Sequence, residues 1–568
     1  MSTTNAWVSK YQEYSHADLL RRVTDLEAQL RSLNSNGLRQ ASSSPKPKKL
    51  KKAPKPFDPS RYHTRLIALK FAYLGGNYNG FEHHANNTTP LPTVEEELWR
   101  ALRKTKLIFP EFAGKSEDEV CWDGCEYSKC GRTDRGVSAF GQVIGIKVRS
   151  ARPKTAPKPA DANGVDGTSD EAMGAEDYGV EDGVANRTVE ERQSPQWDSI
   201  RDELSYIQTL NRVLPRDIRI LAWCPHPPPD FSARFSCKER RYRYFFTNPS
   251  FATSPALAST GRAAAGAGGG WLDVEAMQFA AKKLEGLHDF RNMCKVDPSK
   301  QLSSFERRIF HAGIHTVDSP TVAHIPNNNG SNQLSKPELY YFEVRGSAFL
   351  WHQVRHMVGI LFLVGQGYEN PDVVDRLLDI EKSPGKPVYD MADDQPLVLW
   401  DCIFPDPASV PAWDGKVDDT IASNGYDDAI EWVYVGDEVG GRETNKRVVL
   451  GIDDGLFGRN GVMDDLWSLW RKRKMDEVLA GSLMDIAASL GQRMSTSKLI
   501  PNRHLVEDAD RSDRIFDGSD RPRTVGKYVP LMKREKLETP VVVNARYAVR
   551  KGLAPREGHV NGGADVDD

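Results

Sequence analysis

The chain has 568 residues, of which 39% are apolar and 27% charged, and its net charge is −3. That length provides for two or three folded domains, and the modest apolar share implies solvated segments between them. Seven cysteines in so long a chain, no apolar leader and no apolar run near the ~18 residues of a membrane span argue against a disulfide framework and a membrane role, so we expect a reducing, soluble compartment. Charge is unevenly spread, with six lysines and no acids between Ala41 and Phe57 but ten acids between Ala160 and Gln193. Along the chain, Leu19, Val23, Leu26, Leu30 and Leu33 recur at heptad steps over two heptads, which fits a short pairing helix or a marginal amphipathic one. The run Pro45, Lys46, Pro47, Lys48, Lys49, Leu50, Lys51, Lys52 then reads as a solvated basic linker, with nuclear import or phosphate binding as its further uses.

Folded sequence begins near Thr64. A strand is predicted over 66–73, and Thr93-Val94-Glu95-Glu96 is a capping box opening a helix with Val94, Leu98, Ala101 and Leu102 on one face. Strands are expected over 142–148, 217–224 and 238–247, with a helix over 200–213. A second set follows: a helix capped by Asp273 through Leu287, strands over 307–317 and 339–345, a helix over 350–365, a helix start at Asn370-Pro371, and a closing strand over 397–404. Two similar halves, each mixing strands and helices, predict an α+β architecture whose sheets join. The expected organisation is a tail and linker over 1–63, a first catalytic half over 64–250 containing a disordered acidic insert at 150–197, a second half over 251–405, and an extension over 406–568. The segments 256–270 and 319–336 read as loop insertions, and helices are predicted at 463–474 and 475–491.

The stretch Cys130-Gly131-Arg132-Thr133-Asp134-Arg135-Gly136 places one acid and two arginines in a glycine-bounded loop. Glycines open backbone conformations closed to other residues, and Thr133 is able to tie its hydroxyl to the loop, so Asp134 is a candidate reactive carboxylate. The same residues also describe a surface turn with a solvated ion pair. In 238–246, alternation sends Tyr242, Tyr244 and Phe246 to one face and Arg241 and Arg243 to the other, suiting either base stacking beside phosphate or a plain core strand. The helix over 350–365 is apolar nearly all round, with Arg355 in its middle. A buried guanidinium needs a carboxylate, for which Asp134 is the natural candidate and another acid the alternative. Cys121, Cys125 and Cys130 lack paired C-x2-C spacing, and no P-loop or dinucleotide glycine pattern occurs, so neither a metal nor another cofactor is expected.

Taken together, Gly131-Arg132-Thr133-Asp134, Phe231-Ser232-Ala233-Arg234-Phe235, Arg241-Tyr242-Arg243-Tyr244, Gly286-Leu287-His288-Asp289-Phe290 and Phe349-Leu350-Trp351-His352-Gln353-Val354-Arg355 resemble the TruA family of tRNA pseudouridine synthases. Asn211-Arg212-Val213-Leu214-Pro215, Ser236-Cys237-Lys238-Glu239-Arg240 and Val529-Pro530-Leu531-Met532-Lys533-Arg534 resemble its eukaryotic branch, which modifies uridines 38 and 39. The resemblance implies two ferredoxin-like halves around a joined, mainly antiparallel sheet, with a central active-site cleft. It implies that Asp134 attacks a flipped uridine, Arg132 fills the gap left by the base, Tyr242 stacks on the target and moves a proton, and Arg355 pairs with the aspartate. Arg234, Lys238, Arg240, Arg241 and Arg243 are expected to grip the RNA. It further implies tRNA as partner, no cofactor, a possible homodimer, and work in the nucleus, the cytoplasm or both. The stretch Gly80-Phe81-Glu82-His83-His84 departs from the family pattern.

Overall fold

A computed structural model describes residues 24–25, 57–85, 89–112, 114, 116, 118–153, 197–251, 270–317, 338–410, 425–437, 455–458, 461–489 and 513–553. The chain divides into two units, Met1–Asp58 and Pro59–Asp568. In the first, Thr24 and Asp25 are helical; the rest of the predicted heptad helix, the basic linker and most of the acidic insert lie outside the described residues.

In the second unit the strands are β1 (Tyr62–Tyr73), β2 (Ser128–Lys129), β3 (Ser138–Pro153), β4 (Ile218–Cys224), β5 (Glu239–Asn248), β6 (Gly286–Asp289), β7 (Glu306–Thr316), β8 (Glu338–Gly346), β9 (Leu397–Ile403) and β10 (Val433–Tyr434). The helices that precede the tail are α1 (Val94–Lys104), α2 (Tyr206–Asn211), α3 (Val274–Lys282), α4 (Gln353–Gly365) and α5 (Val373–Leu378). All ten strands form one sheet in the order β10-β4-β1-β3-β9-β5-β8-β7-β6, with β2 also on β3. The chain therefore writes βαββαβ twice. In the first half β1, β2, β3 and β4 lie in the order β4-β1-β3-β2, and in the second β5, β7, β8 and β9 lie in the order β9-β5-β8-β7. Each is the ferredoxin-like arrangement, in which two split βαβ crossovers interleave their strands.

The halves join where β3 runs parallel to β9 through Ser138↔Val398 and Ala139↔Leu399. Further along the same edge of β3, β2 pairs Ser128↔Gly145 and Lys129↔Ile144. The loop between β2 and β3, which contains Asp134, is thereby forced to the junction of the two halves.

Helix packing follows the predicted stripes. Thr93 caps α1 by accepting from Glu96 N–H at 3.2 Å, and Val94, Leu98, Ala101 and Leu102 are buried in the first core with Phe71, Tyr73 and Phe81. In α4 every residue is buried, and Met357, Val358, Leu361 and Phe362 fill the second core with Tyr244 and Phe342. Tyr242 packs against both cores, so it stands at the seam.

Some boundaries differ from expectation. The helix predicted over 200–213 shrinks to α2 because the preceding residues make turns around Asp198, whose carboxylate takes the N–H groups of Ile200 and Arg201. The helix predicted to run from Asp273 through Leu287 ends at Lys282, and Gly286–Asp289 is edge strand β6 on β7. The helices predicted at 463–474 and 475–491 are one, α6 (Val462–Ser489), since no residue between them breaks the backbone pattern.

Part of the extension packs on the core. Strand β10 pairs with β4, and β11 (Asp513–Ile515) pairs with β12 (Arg523–Val525). Gln366, at the C-terminal cap of α4, brackets Phe516 with bonds of 2.7 and 3.0 Å, Leu531 is fully buried, and α7 (Pro540–Lys551) follows. Among the described residues no helix is long and apolar enough to cross a membrane.

Candidate active site

The Asp134 loop is held from both sides. Buried Gln142 clamps Gly131, accepting its N–H at 3.1 Å and donating to its carbonyl at 2.9 Å. The Tyr73 hydroxyl meets Thr133 Oγ1 at 2.7 Å, and Phe81 N–H donates to the Thr133 carbonyl at 3.1 Å. The chain then turns tightly, Val137 N–H donating to Asp134 O at 3.2 Å through Gly136 at φ +80°. A side chain at Gly136 would also run into the Asp394 carboxylate, so glycine is required there twice over. Gly80, at φ +84°, lies under the loop, where a Cβ would come within 2.9 Å of the Thr133 carbonyl. With its backbone so fixed, Asp134 presents a carboxylate that is 27% exposed.

His352 Nε2 stands 3.4 Å from Asp134 Oδ2. His352 caps the N-terminus of α4 with φ 60° and ψ 12°, a left-handed conformation uncommon outside glycine and enriched for Asn, Asp and His. That turn carries the imidazole toward the loop, while its Nδ1 is buried without a hydrogen-bond partner. Arg355, one turn later, goes elsewhere. Its Nε donates to Ala392 O at 2.8 Å, and its Nη2 lies 3.6 Å from Asp394 Oδ2. The predicted Arg355–Asp134 pair is therefore replaced by an Arg355–Asp394 pair. The reason is local: Ala392 N–H donates back to Arg355 O at 3.0 Å, which binds the 392–394 segment to this turn of the helix. Burial raises the Asp394 carboxyl above its ordinary range, with the Arg355 charge pulling the other way.

Tyr242 lies on the face of β5 shared with Tyr244 and Phe246, as the alternation predicts, and packs edge-on against Phe349 with centroids 5.1 Å apart. Burial pushes its phenol well above the usual range, and the Asp134 charge acts in the same direction. It is therefore protonated at neutral pH. Arg132 is exposed, its Nε 3.3 Å from Glu82 Oε1. Burial alone would raise Glu82, but Lys129 and Arg132 hold it below the ordinary carboxylate range. The departing stretch at Gly80 to His84 thus supplies the resting partner of Arg132.

The expected RNA-gripping arginines of β5 are spent on the protein. Arg240 donates to Ser347 O at 2.8 Å, Cys130 O at 3.0 Å and Arg234 O at 3.3 Å, tying the start of the Asp134 loop to the turn before α4. Arg241 bonds to buried Glu239 at 2.7 Å and to Tyr426 O at 3.1 Å. Arg243 pairs with Glu343 at 2.9 Å and lies over the Trp400 ring at 3.9 Å. Lys238 donates to Phe235 O at 3.0 Å, and Arg234 lies 5.3 Å from the exposed Phe235 ring. Sequence reasoning missed His352, Asp394 and Gln142. His352 carried one usable signal, a position three residues before Arg355 on the same helix face; Asp394 and Gln142 carried none, since only tertiary contact brings them to the loop.

Comparison with known proteins adds independent information. A family model described as tRNA pseudouridine synthase matches residues 280–405. The chain is 39% identical over 415 residues to the tRNA pseudouridine(38/39) synthase of Saccharomyces cerevisiae, covering 71% of this chain and 74% of the relative. Against the human protein of the same name the identity is 39% over 394 residues, 68% and 66% of the two chains. A tRNA pseudouridine synthase A from Methanothrix thermoacetophila is 28% identical over 343 residues, 60% of this chain and 84% of the relative.

Proposed function

The chain belongs to the tRNA pseudouridine synthase family, of the TruA type, and from that membership we propose that it isomerises uridine to pseudouridine at positions 38 and 39 of tRNA. It is an isomerase acting on tRNA uridine. The reaction breaks the C1′–N1 glycosidic bond, turns the base and bonds C5 to C1′; the C5 proton leaves and N1 gains one, so no atom is added and no electron is transferred. The observation that carries the assignment of roles is the partly exposed Asp134 carboxylate on a rigid loop at the junction of the two cores.

In this reading Asp134 attacks the flipped nucleotide. Flipping costs a few kcal/mol, less at a stem end where one stacking neighbour is missing. Arg132 leaves Glu82 to fill the space in the stack, which its planar guanidinium suits. Tyr242, being protonated, moves a proton only by passing on its own as it takes another. His352 acts as a positioning residue that holds Asp134 Oδ2, and Arg355 braces the loop from behind through Asp394 rather than touching Asp134. RNA is held by Arg132, Arg234 and Lys238, and Arg240, Arg241 and Arg243 keep the strand and loop in place. Two copies of the chain are expected to associate, working in the nucleus, the cytoplasm or both; the exposed Leu479, Leu483 and Ile486 of α6 offer an apolar face for that contact.

The test is incubation with an unmodified tRNA transcript carrying uridines at 38 and 39, followed by carbodiimide-blocked primer extension. Stops at those two positions are expected. Stops only at other uridines would keep the enzyme and remove the position assignment, and binding with no stop anywhere would leave an RNA-binding scaffold. For His352→Ala we expect single-turnover product formation to fall on the order of 10²-fold, with tRNA affinity little changed, because a misplaced reactive group loses that much. His352→Asn tolerates the left-handed backbone and should fold normally; wild-type rates in both variants would end the positioning role.

A further inference from the structure

All seven cysteines are buried thiols outside any disulfide, and three of them meet although they come from distant parts of the chain. Cys130 opens the Asp134 loop, Cys237 precedes β5, and Cys402 lies in β9. Their Sγ atoms all lie within 4.8 Å of one another, and none of the three residues is more than 5% exposed. The neighbours that share the sequence run with Cys130 are not involved: Cys121 Sγ faces Glu111 O at 3.5 Å and Asp123 Oδ2 at 3.3 Å, and Cys125 Sγ faces Asp123 O at 3.9 Å.

Three thiolates around one d10 ion, with metal–sulfur bonds near ~2.3 Å, stand roughly 3.8 Å apart. The cluster has to close by no more than about 1 Å to reach that spacing. Sulfur donors without oxygen or nitrogen select soft cations. A partly buried cation is already beside them, since Arg240 donates to the Cys130 carbonyl at 3.0 Å, and its charge offsets part of the negative charge of a thiolate set. No His, Asp, Glu or fourth Cys joins the group among the described residues. A trigonal ion is complete with three sulfurs, whereas a tetrahedral one takes its fourth ligand from solvent.

We propose that Cys130, Cys237 and Cys402 bind one soft d10 cation, copper(I) or zinc(II), as thiolates, the thiol protons leaving to solvent. The bound ion cross-links the base of the Asp134 loop to the start of β5 and to β9, the strand through which the two halves are joined. It is a structural staple under the loop, independent of the activity proposed above.

The experiment uses the full chain, purified under reducing, anaerobic conditions and stripped with chelator, without tRNA. Copper(I) and zinc(II) are titrated separately against a chromophoric competitor, and sulfur-to-metal absorption and thermal midpoint are followed. One ion per chain is expected, with a higher midpoint when it is bound. Affinity should be at least tenfold weaker in Cys402→Ala and unchanged in Cys121→Ala. Tighter copper(I) binding identifies the trigonal form, and tighter zinc(II) binding the solvent-completed one. X-ray absorption of the loaded wild type keeps the test valid if Cys402→Ala does not fold: a three-sulfur shell supports the site. Absence of stoichiometric binding in the wild type, or a shell poor in sulfur, would show that the three side chains serve only as apolar packing.

Discussion

Asp134→Asn is expected to bind tRNA and make no product. The loop around Asp134 is held by Gln142, Thr133, Tyr73 and main-chain groups, none of which is the Asp134 carboxylate, so an amide of the same shape leaves the backbone where it is. What disappears is the proposed nucleophile, and losing such a group costs at least ~10⁴-fold in turnover in comparable sites. Removing a negative charge that faces an anionic RNA should, if anything, tighten binding slightly, and more so at low salt. Filter binding and single-turnover pseudouridine formation on the same preparation separate the two effects. Product formation near the wild-type rate would mean that Asp134 is not the nucleophile, provided thermal melting shows an intact fold.

Arg355→Leu should act differently, on stability and positioning together. The guanidinium is buried, donates to Ala392 O and offsets Asp394, whose carboxylate sits against Gly136 at the turn after Asp134. Leucine fits the apolar helix but strips Ala392 O of its donor and leaves half-buried Asp394 without its pair, with the weaker Arg135 charge still acting on it. Breaking such a pair costs about 3 kcal/mol. Asp394 is already raised by burial, so without Arg355 its carboxyl rises further and the cost is greatest above that range, where the group is charged. We therefore expect a lower thermal midpoint that recovers partly on mild acidification, together with a reduced turnover and nearly normal tRNA affinity. Arg355→Lys should not restore the wild type, because an ammonium group lacks the planar fork that reaches both partners. A variant with normal stability and a normal rate would remove Arg355 from the bracing role.

The contrast between Asp134 and Arg355 shows how far local patterns reach. The α1 stripe and its Thr93 cap, the alternation that buries Tyr244 and Phe246, and the doubled order of strands and helices were all legible, because each is a repeat along the chain that burial on one face enforces. The short edge strands β2, β6 and β10 were not, since they contain too few residues to show a period. Within the site, a fixed loop displaying a carboxylate was readable from Gly131-Arg132-Thr133-Asp134, where the glycines, the hydroxyl and the acid are neighbours in sequence. The partner of Arg355 was not, because the need of a buried guanidinium for a carboxylate names no particular acid. Asp394 won by lying on a segment hydrogen-bonded to the same turn of α4, while the left-handed turn at His352 brought an imidazole to Asp134 instead. The arginines of β5 teach the same lesson, for their number was evident in the chain but their use on carbonyls, Glu239 and Glu343 was not.

What the amino-acid sequence determined by itself was the set of elements, the duplicated α+β plan and the loop that displays Asp134, all of them products of short-range periodicity and backbone preference. Which groups meet that carboxylate, which arginines are spent on the protein itself, and the gathering of Cys130, Cys237 and Cys402 were decided only when β3 paired with β9 and closed two distant halves into one sheet. Contacts of that kind depend on where side chains from remote segments arrive in space, and no spacing along the chain encodes it.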